Sequence, residues 1–456
     1  MYSITLHSSH NDTLSAPFYD YADDLLYVGD DSGYLHQFSG VFNGSPAENT
    51  TSPWPVLLGS NKVSSPVYDT AGGFQGGYVF VGDMGGVFYS VGTGYGGTTN
   101  GSIHGNTGSL GDAIADAPLV DSSEGEAFVF VTTDASSKPF SGDNGVFQFV
   151  SSFTAYGTPG VVSVGTGGTG YYLYAGDFDN VYYQSGNPAY GHLYVVGNTG
   201  TAGGATLYQI VIETSAFTGT VNSVVTGLNT SGHPWPSPLI DFCNNAASAC
   251  TITSQRSVTA KVSTTSPEIT ILNGSGTFIS TDVGAFITGG DIPSGATISS
   301  VLSSTTANLS SAPTGAESSE SVSILGGETT AGIDYVFFSL NSPASGLCKN
   351  SSGTAESGAG WGCIFSYTIS NPTSVAQSGG AGTGLAVTVP ATNGCWATGG
   401  MVIDNSVPAG TEAGASQVYF VGLNGAAAGG PNGVTSSGCT TGSAPGNATQ
   451  ASQSAP

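Results

Sequence analysis

Ser15-Ala16-Pro17-Phe18-Tyr19-Asp20, followed by Leu26-Tyr27-Val28-Gly29-Asp30, returns as Ser65-Pro66-Val67-Tyr68-Asp69 with Val79-Phe80-Val81-Gly82-Asp83. Apolar residues alternating between Pro, Gly and Asp read as short strands joined by tight turns. A unit this short cannot bury its own apolar face, so its copies must stack on one another. Further anchors are Ala117-Pro118-Leu119-Val120-Asp121, Ser237-Pro238-Leu239-Ile240-Asp241 and Met401-Val402-Ile403-Asp404. The fourth unit has lost its proline but keeps Tyr172-Leu173-Tyr174, Leu193 to Gly197 and Thr206 to Ile210 in order. This recurrence predicts an all-β chain, a β-propeller with six visible blades. Spacings of 49 residues from Asp20 to Asp69 and 52 from Asp69 to Asp121 leave seven open.

The fifth anchor is parted from its second strand, Tyr335 to Leu340, by a stretch without the phrase. Residues 251–328 are Ser/Thr-rich, with β runs at Glu268 to Leu272, Thr277 to Ile279, Ala285 to Thr288, Ala296 to Val301 and Val322 to Leu325. They read as a small inserted Ig-like β-domain on a loop. The expected division is propeller over 1–250, insert over 251–328 and propeller again over 329–456. An open ring would leave strand edges that recruit other chains. The alternating Tyr2-Ser3-Ile4-Thr5-Leu6 is expected beside Thr449 to Ser454 as the outer strand that closes the last blade.

Five Lys+Arg face 30 Asp+Glu, for a net charge of −25, with only 8% of residues charged and 71 glycines. Binding to phosphate backbones needs a basic surface that this composition lacks, which speaks against nucleic acid and anionic lipid as partners. At 39% hydrophobic and 10% aromatic the chain has enough apolar content to fold. No apolar run approaches the ~20 residues of a membrane helix, so no membrane insertion is expected. Six cysteines form loose pairs, Cys243 with Cys250, Cys348 with Cys363 and Cys395 with Cys439; none has metal-ligand spacing, and sequential disulfides are expected among 15 pairings. Nine Asn-x-Ser/Thr sequons, at Asn11, Asn43, Asn49, Asn100, Asn229, Asn273, Asn308, Asn350 and Asn447, are glycosylation candidates. Both features fit an extracellular or cell-surface location. No signal peptide precedes Tyr2, so a mature or partial chain is expected.

Tyr27-Val28-Gly29-Asp30-Asp31-Ser32-Gly33-Tyr34-Leu35 resembles the repeats of quinoprotein-type, YVTN-like β-propellers, in which a strand ends in Gly and a Gly-x-aromatic strand returns. From Ser15 to the terminal Gln450-Ala451-Ser452-Gln453-Ser454-Ala455-Pro456, the chain resembles a group of secreted bacterial propeller proteins that carry one more blade upstream. The insert resembles small β-domains of phage tail and bacterial surface proteins. These resemblances imply a fold and hand over no catalytic residue.

Asp20, Asp69, Asp121, Asp241 and Asp404 end the anchors. An Asp after a strand commonly accepts backbone N–H groups in an Asx-turn, and a ring of them lining a channel is the alternative. Asp30 with Asp31, and Asp177 with Asp179, supply oxygens of the kind calcium takes, though the EF-hand pattern is absent; calcium is the one cofactor left open. His7 and His10 lack a third ligand, and His36, His104, His192 and His233 read as strand or loop residues. There is no G-x-S-x-G elbow and no H-E-x-x-H. The glycine runs 92–97 and 165–170 open no helix and read as loops. A quinone cofactor would need a tryptophan platform and cationic contacts, whereas Trp54, Trp235, Trp361 and Trp396 are scattered and arginine is scarce. Trp54-Pro55 and His233-Pro234-Trp235-Pro236 suit either packing or sugar stacking.

The sequence thus favours a non-enzymatic extracellular building block that self-associates in a surface layer, adhesin or filament. The alternative is a propeller that binds or cleaves carbohydrate through paired carboxylates. A quinoprotein oxidoreductase ranks last.

Overall fold

The computed structural model describes residues 6, 13, 15–70, 77–168, 172–184, 190–199, 204–213, 216–229, 236–244, 256–279, 282–283, 285–293, 296–325, 333–341, 344, 347–349, 355–356, 362–369, 376–377, 398–404, 417–422 and 448–452. Strand is by far the dominant regular structure among them, beside one helical turn and one short 3-10 turn. A first sheet runs β1 (Phe18–Asp20), β2 (Leu25–Gly29), β3 (Tyr34–Ser39), β4 (Ala47–Glu48), with β5 (Val56–Leu57) also on β3. The second is β6 (Val67–Asp69), β7 (Tyr78–Gly82), β8 (Val87–Gly92), β9 (Ile103–Ser109). The third is β10 (Leu119–Asp121), β11 (Glu126–Val131), β12 (Asp143–Val150), β13 (Gly160–Thr166). The fourth is β14 (Asp177–Phe178), β15 (Tyr190–Gly197), β16 (Thr206–Glu213), β17 (Ala216–Val225), with a helical turn α1 (Asn180–Gln184) after β14.

The fifth sheet opens with β18 (Ile240–Asn244) and is then interrupted by β19 (Arg256–Lys261), β20 (Glu268–Ile271), β21 (Phe286–Thr288), β22 (Ile298–Val301), β23 (Thr306–Leu309) and β24 (Glu320–Leu325). It resumes with β25 (Ile333–Asn341), and a small hairpin of β26 (Cys348–Lys349) and β27 (Ala355–Glu356) precedes its last strands, β28 (Gly362–Thr368) and β29 (Ala376–Gln377). The sixth has three strands among the described residues, β30 (Thr398–Asp404), β31 (Gln417–Gly422) and β32 (Ala448–Ser452). Each of these sheets is an antiparallel meander, and five of the six begin on the anchors read from sequence.

The chain divides into two compact units, Met1–Ala175 with Val196–Gly200, and Gly176–Val195 with Thr201–Pro456. In the first, β7 shows why its strand is apolar at every position. Val79 and Val81 pack with Tyr27 and Leu35 of the first sheet and with Trp54 of the loop before β5. Tyr78 and Phe80 face the other way and pack with Val129, Phe147 and Phe149 of the third. A sheet covered on both faces needs no polar alternation, which is why these strands read as continuous apolar runs. The strand-ending glycines have a packing reason as well. A Cβ on Gly29 would lie 2.6 Å from the Val63 side chain, and one on Gly82 would lie 2.2 Å from Ile114, the apolar residue leading into the next anchor.

The second unit holds its own separate core in the insert, where Val258, Ile269, Ile287, Ile298, Leu309 and Ile324 cluster. The expected Ig-like sandwich is not what forms. One six-stranded sheet in the order β21-β24-β19-β20-β23-β22 curls until its edges meet. A bridge pairs Phe286 with Thr297, where Ile287 donates to the Ala296 carbonyl at 3.0 Å and Ile298 to that of Ala285 at 2.9 Å. Strands this short suffice for a small barrel, and closure removes the two edges that a sandwich would leave open. The sequence reading missed β19 and β23, whose outer faces carry Ser257, Thr259 and Lys261, and Thr306 and Asn308.

The fourth unit's lead strand also needs correction. Tyr172 to Tyr174 form no strand, and β14 takes that place. The Leu173 amide donates to Thr132 Oγ1 at 3.1 Å and the Ala175 amide to Asp116 Oδ2 at 3.1 Å, so side chains take the hydrogen bonds a ladder would have used. The expected closing strand at Tyr2 to Thr5 lies outside the described residues.

Candidate functional site

The Asp that follows β2 or β7 is built into the turn. Asp30 Oδ1 accepts from the Ser32 and Tyr34 amides at 2.9 and 2.8 Å, and Asp83 Oδ1 accepts from those of Gly85 and Val87 at 2.8 and 2.9 Å. The second oxygen reaches the residue six positions on: His36 Nε2 lies 3.3 Å from Asp30 Oδ2, and the Tyr89 hydroxyl donates to Asp83 Oδ2 at 3.3 Å. His36 Nδ1 also lies 2.7 Å from Glu48 Oε1, so one buried imidazole links two carboxylates. A polar ladder of the same composition occurs within each unit. In the first sheet Asn49 donates to Gln37 at 2.8 Å and Gln37 to the Tyr27 hydroxyl at 3.2 Å. In the fourth Asn222 donates to Gln209 at 2.9 Å and Gln209 to the Tyr194 hydroxyl at 2.8 Å. Such groups satisfy one another inside the sheets.

The second unit is different. Asp177 and Asp179 on either side of Phe178, Asp241 on β18 and Asp334 on β25 come to one place. The Asp241 amide donates to Asp177 Oδ2 at 2.9 Å and the Asn180 amide to Asp334 Oδ2 at 3.1 Å. In the β18–β25 register Asp241 faces Val336 and Cys243 faces Asp334, a diagonal that sets both carboxyls on one face. The exposed Tyr183 of α1 donates to Asp177 Oδ1 at 2.6 Å. Asp179 Oδ2 lies 2.7 Å from His192 Nδ1, and the His192 ring stacks on Phe286 of the insert with centroids 5.1 Å apart.

Burial pushes the Asp241 carboxyl well above the ordinary carboxylate range, and the neighbouring charges of Asp334 and then Asp177 push it further. Asp177 is raised by burial and pulled partly back by the Asp241 amide and the Tyr183 hydroxyl. Tyr183 is itself pushed up, by burial first and then by Asp177. Crowded carboxyls of this kind retain a proton that an isolated carboxyl would have lost, which is the property of a general acid. Asp177 and Asp241 are half-buried, and Tyr183 reaches solvent beside them.

Of the residues singled out for calcium, Asp30 is fully buried in its turn and Asp31 pairs with Lys62. Asp179 is held by His192, and Asp177 joins the acid cluster. Among the described residues, no three His, Cys, Asp or Glu side chains come together in a way that would hold a metal ion. Of the anchor aspartates, Asp20 and Asp121 make the expected Asx-turns, to the amides of Ala22 and Ser123 at 2.9 Å each. Asp69 accepts from the Ser122 hydroxyl at 2.6 Å, and the residue its own turn would reach lies outside the described residues. Cys243 and Cys363 are each half of a disulfide. They are not each other's partner, since their opposite numbers on β25, Asp334 and Leu340, are about 20 Å apart at ~3.4 Å per residue. Cys250, Cys395 and Cys439 lie outside the described residues, as do the side chain of Cys348 and the sequons at Asn11, Asn350 and Asn447.

The sequence pointed to Asp177, Asp179 and Asp241 separately. It gave no sign of Asp334, which stands in the unremarkable run Ile333-Asp334-Tyr335. Only the strand register across the insert brings it to Asp241.

No protein-family model matches the chain, and no curated protein matches it. Among the solved structures that resemble it are two weak likenesses. Sqt1 of Saccharomyces cerevisiae is 12% identical with a TM-score of 0.33, over 92% of this chain and 96% of that one. The quinohemoprotein alcohol dehydrogenase ADHIIG of Pseudomonas putida HK5 is 11% identical with a TM-score of 0.34, over 88% of this chain and 61% of that one, less than two thirds of the enzyme. Likeness at this level assigns no activity.

Proposed function

We propose that the six meander sheets are the blades of one β-propeller with a guest barrel in the fifth, and that it serves outside the cell as a non-enzymatic, self-associating building block of a surface layer, adhesin or filament. The observation that carries this reading is where the recurrent polar groups go. Asp20, Asp30, Asp83 and Asp121 cap turns, His36 bridges Asp30 and Glu48, and the Tyr-Gln-Asn ladders tie strand to strand. Chemistry repeated blade by blade in this way builds a scaffold. Disulfides pairing Cys243–Cys250, Cys348–Cys363 and Cys395–Cys439 belong to the same reading.

Strand addition supplies the assembly route. Residues 2–6 complete the last sheet beside β32, either in their own chain or in a neighbour, because an added strand satisfies an open edge with main-chain hydrogen bonds. Electron microscopy of native material tests assembly. Deleting residues 1–10 is expected to abolish polymer while leaving folded monomer; polymer that survives the deletion, or native particles that stay monomeric at high concentration, would count against the reading.

A second reading is favoured by the acid cluster alone. In that reading Asp177 and Asp241, whose carboxyls are raised and stand beside Tyr183, do the acid–base work on a glycan. Release of reducing sugar that disappears in Asp241→Asn would support it; a blank on a broad glycan panel would remove it.

A further inference from the structure

We propose that Asn43 carries an N-linked glycan whose first sugar lies on a platform built by Tyr21 and Phe42, an inference that rests on the extracellular reading. The structure sorts the described sequons. Asn229 is 2% exposed and accepts from the Ala205 amide at 2.7 Å. Asn49 donates to Gln37 at 2.8 Å and accepts from the Thr51 amide at 3.0 Å. Asn308 lies within β23 and donates to Ser300 at 3.1 Å, and Asn100 accepts from the Trp54 indole at 2.8 Å. Asn43 and Asn273 remain, both exposed, in turns, with side-chain amides free of protein partners.

Asn43 alone of these two stands beside exposed aromatic rings. Tyr21 is 85% exposed and Phe42 73%, and they are not scattered singles. Both pack edge-on against Tyr19, with centroids 4.6 and 4.7 Å away. Asp24 locks the arrangement, accepting from the Tyr19 hydroxyl at 2.8 Å and from the Phe42 and Asn43 amides at 2.9 and 3.0 Å. It does so from a left-handed backbone conformation, φ 53°, which Asp adopts more readily than most side chains because its carboxylate bonds to nearby backbone. The result is a rigid apolar surface next to an unengaged acceptor amide. The apolar C–H face of a pyranose is the complement of such rings, and a sugar on Asn43 is tethered within reach of them.

The attachment is an ordinary N-glycosyl transfer. Asn43 Nδ2 bonds to the anomeric carbon of a sugar delivered as a polyprenyl-pyrophosphate oligosaccharide by a transferase. The carbon–oxygen bond breaks, the lipid pyrophosphate leaves with the electron pair, and the amide gives up one proton.

Glycopeptide mass spectrometry on the protein from its own organism tests occupancy. The expected result is sugar at Asn43 and Asn273, with Asn49 and Asn229 bare. Enzymatic removal of the glycans should then lower the thermal midpoint by about 2–4 °C in the wild type and leave the Tyr21→Ala/Phe42→Ala variant unmoved. A bare Asn43 with Asn273 occupied would overturn this inference alone. Equal shifts with and without the two rings would overturn the stacking. If every sequon were bare, the inference would fall together with the expectation that any of the sequons carries sugar, while the assembly reading would stand or fall on its own test.

Discussion

Asp121 and Asp241 end the same phrase, Pro-Leu-hydrophobic-Asp, and have opposite lives. Asp121 closes a tight hairpin and its oxygen accepts from the Ser123 amide at 2.9 Å, the Ser123 hydroxyl at 2.6 Å and the Glu124 amide at 3.1 Å. Asp241 has no such hairpin beyond it, because the chain leaves for the insert and returns on β25. In place of turn amides it meets Asp334 and Asp177, and its carboxyl rises. An anchor carboxylate is a structural group where local amides reach it and a titrating group where they do not.

The largest effect that would break this comparison is on the saturated side. Asp30 is fully buried, with its turn amides and His36 around it. Asp30→Ala should cost about 3–5 kcal/mol of stability, read by denaturant unfolding, because it strands a buried imidazole beside Glu48 and two turn amides. A loss below about 1 kcal/mol would mean that these carboxylates are not structural.

On the crowded side the sign reverses. Burial and like charge hold the Asp241 proton in the folded state, so the cluster's stability is fully present below the ordinary carboxylate range and drains away as pH rises through the raised value. Asp241→Asn should therefore be neutral near pH 4 and stabilising by about 1–2 kcal/mol at pH 8. Thermal midpoints across that range check it, and a variant equally stable or weaker at pH 8 would contradict the crowding.

Glu126 sharpens the comparison with a smaller change. It stands directly opposite Asp121 in the β10–β11 pair, and burial, then Asp121, then Glu124, push it from its ordinary 4.5 to about 8. Its contribution is complete below pH 4.5 and is lost as pH climbs to about 8. Because the side chain is partly solvated, Glu126→Gln should stabilise by no more than about 1 kcal/mol at pH 8 and leave pH 4 unchanged, measured by the same melts. A gain at pH 4 would point to a packing effect in place of a charge effect.

Anchors and turns were legible because local rules govern them: Pro and Gly-Asp punctuate, and the short apolar runs between them mark strands. The failures have local reasons too. Tyr172 to Tyr174 carries a strand's composition, yet the Thr132 side chain takes the Leu173 amide and Asp116 takes that of Ala175 just beyond it. The insert's strands are short and outwardly polar, so neither their number nor the closure through Phe286 and Thr297 could be read from alternation. The acid cluster was visible only as isolated aspartates, because Asp241 and Asp334 are 93 positions apart.

By itself the sequence determined an all-β chain of recurring anchored meanders, with a foreign module between the fifth anchor and its partner strand. The burial of both faces of β7, the closing of the insert and the meeting of four carboxyls were decided by tertiary structure. Periodicity records which way a side chain points within one strand, whereas neighbours across strands depend on register and on chain that departs and returns, and no local pattern encodes those.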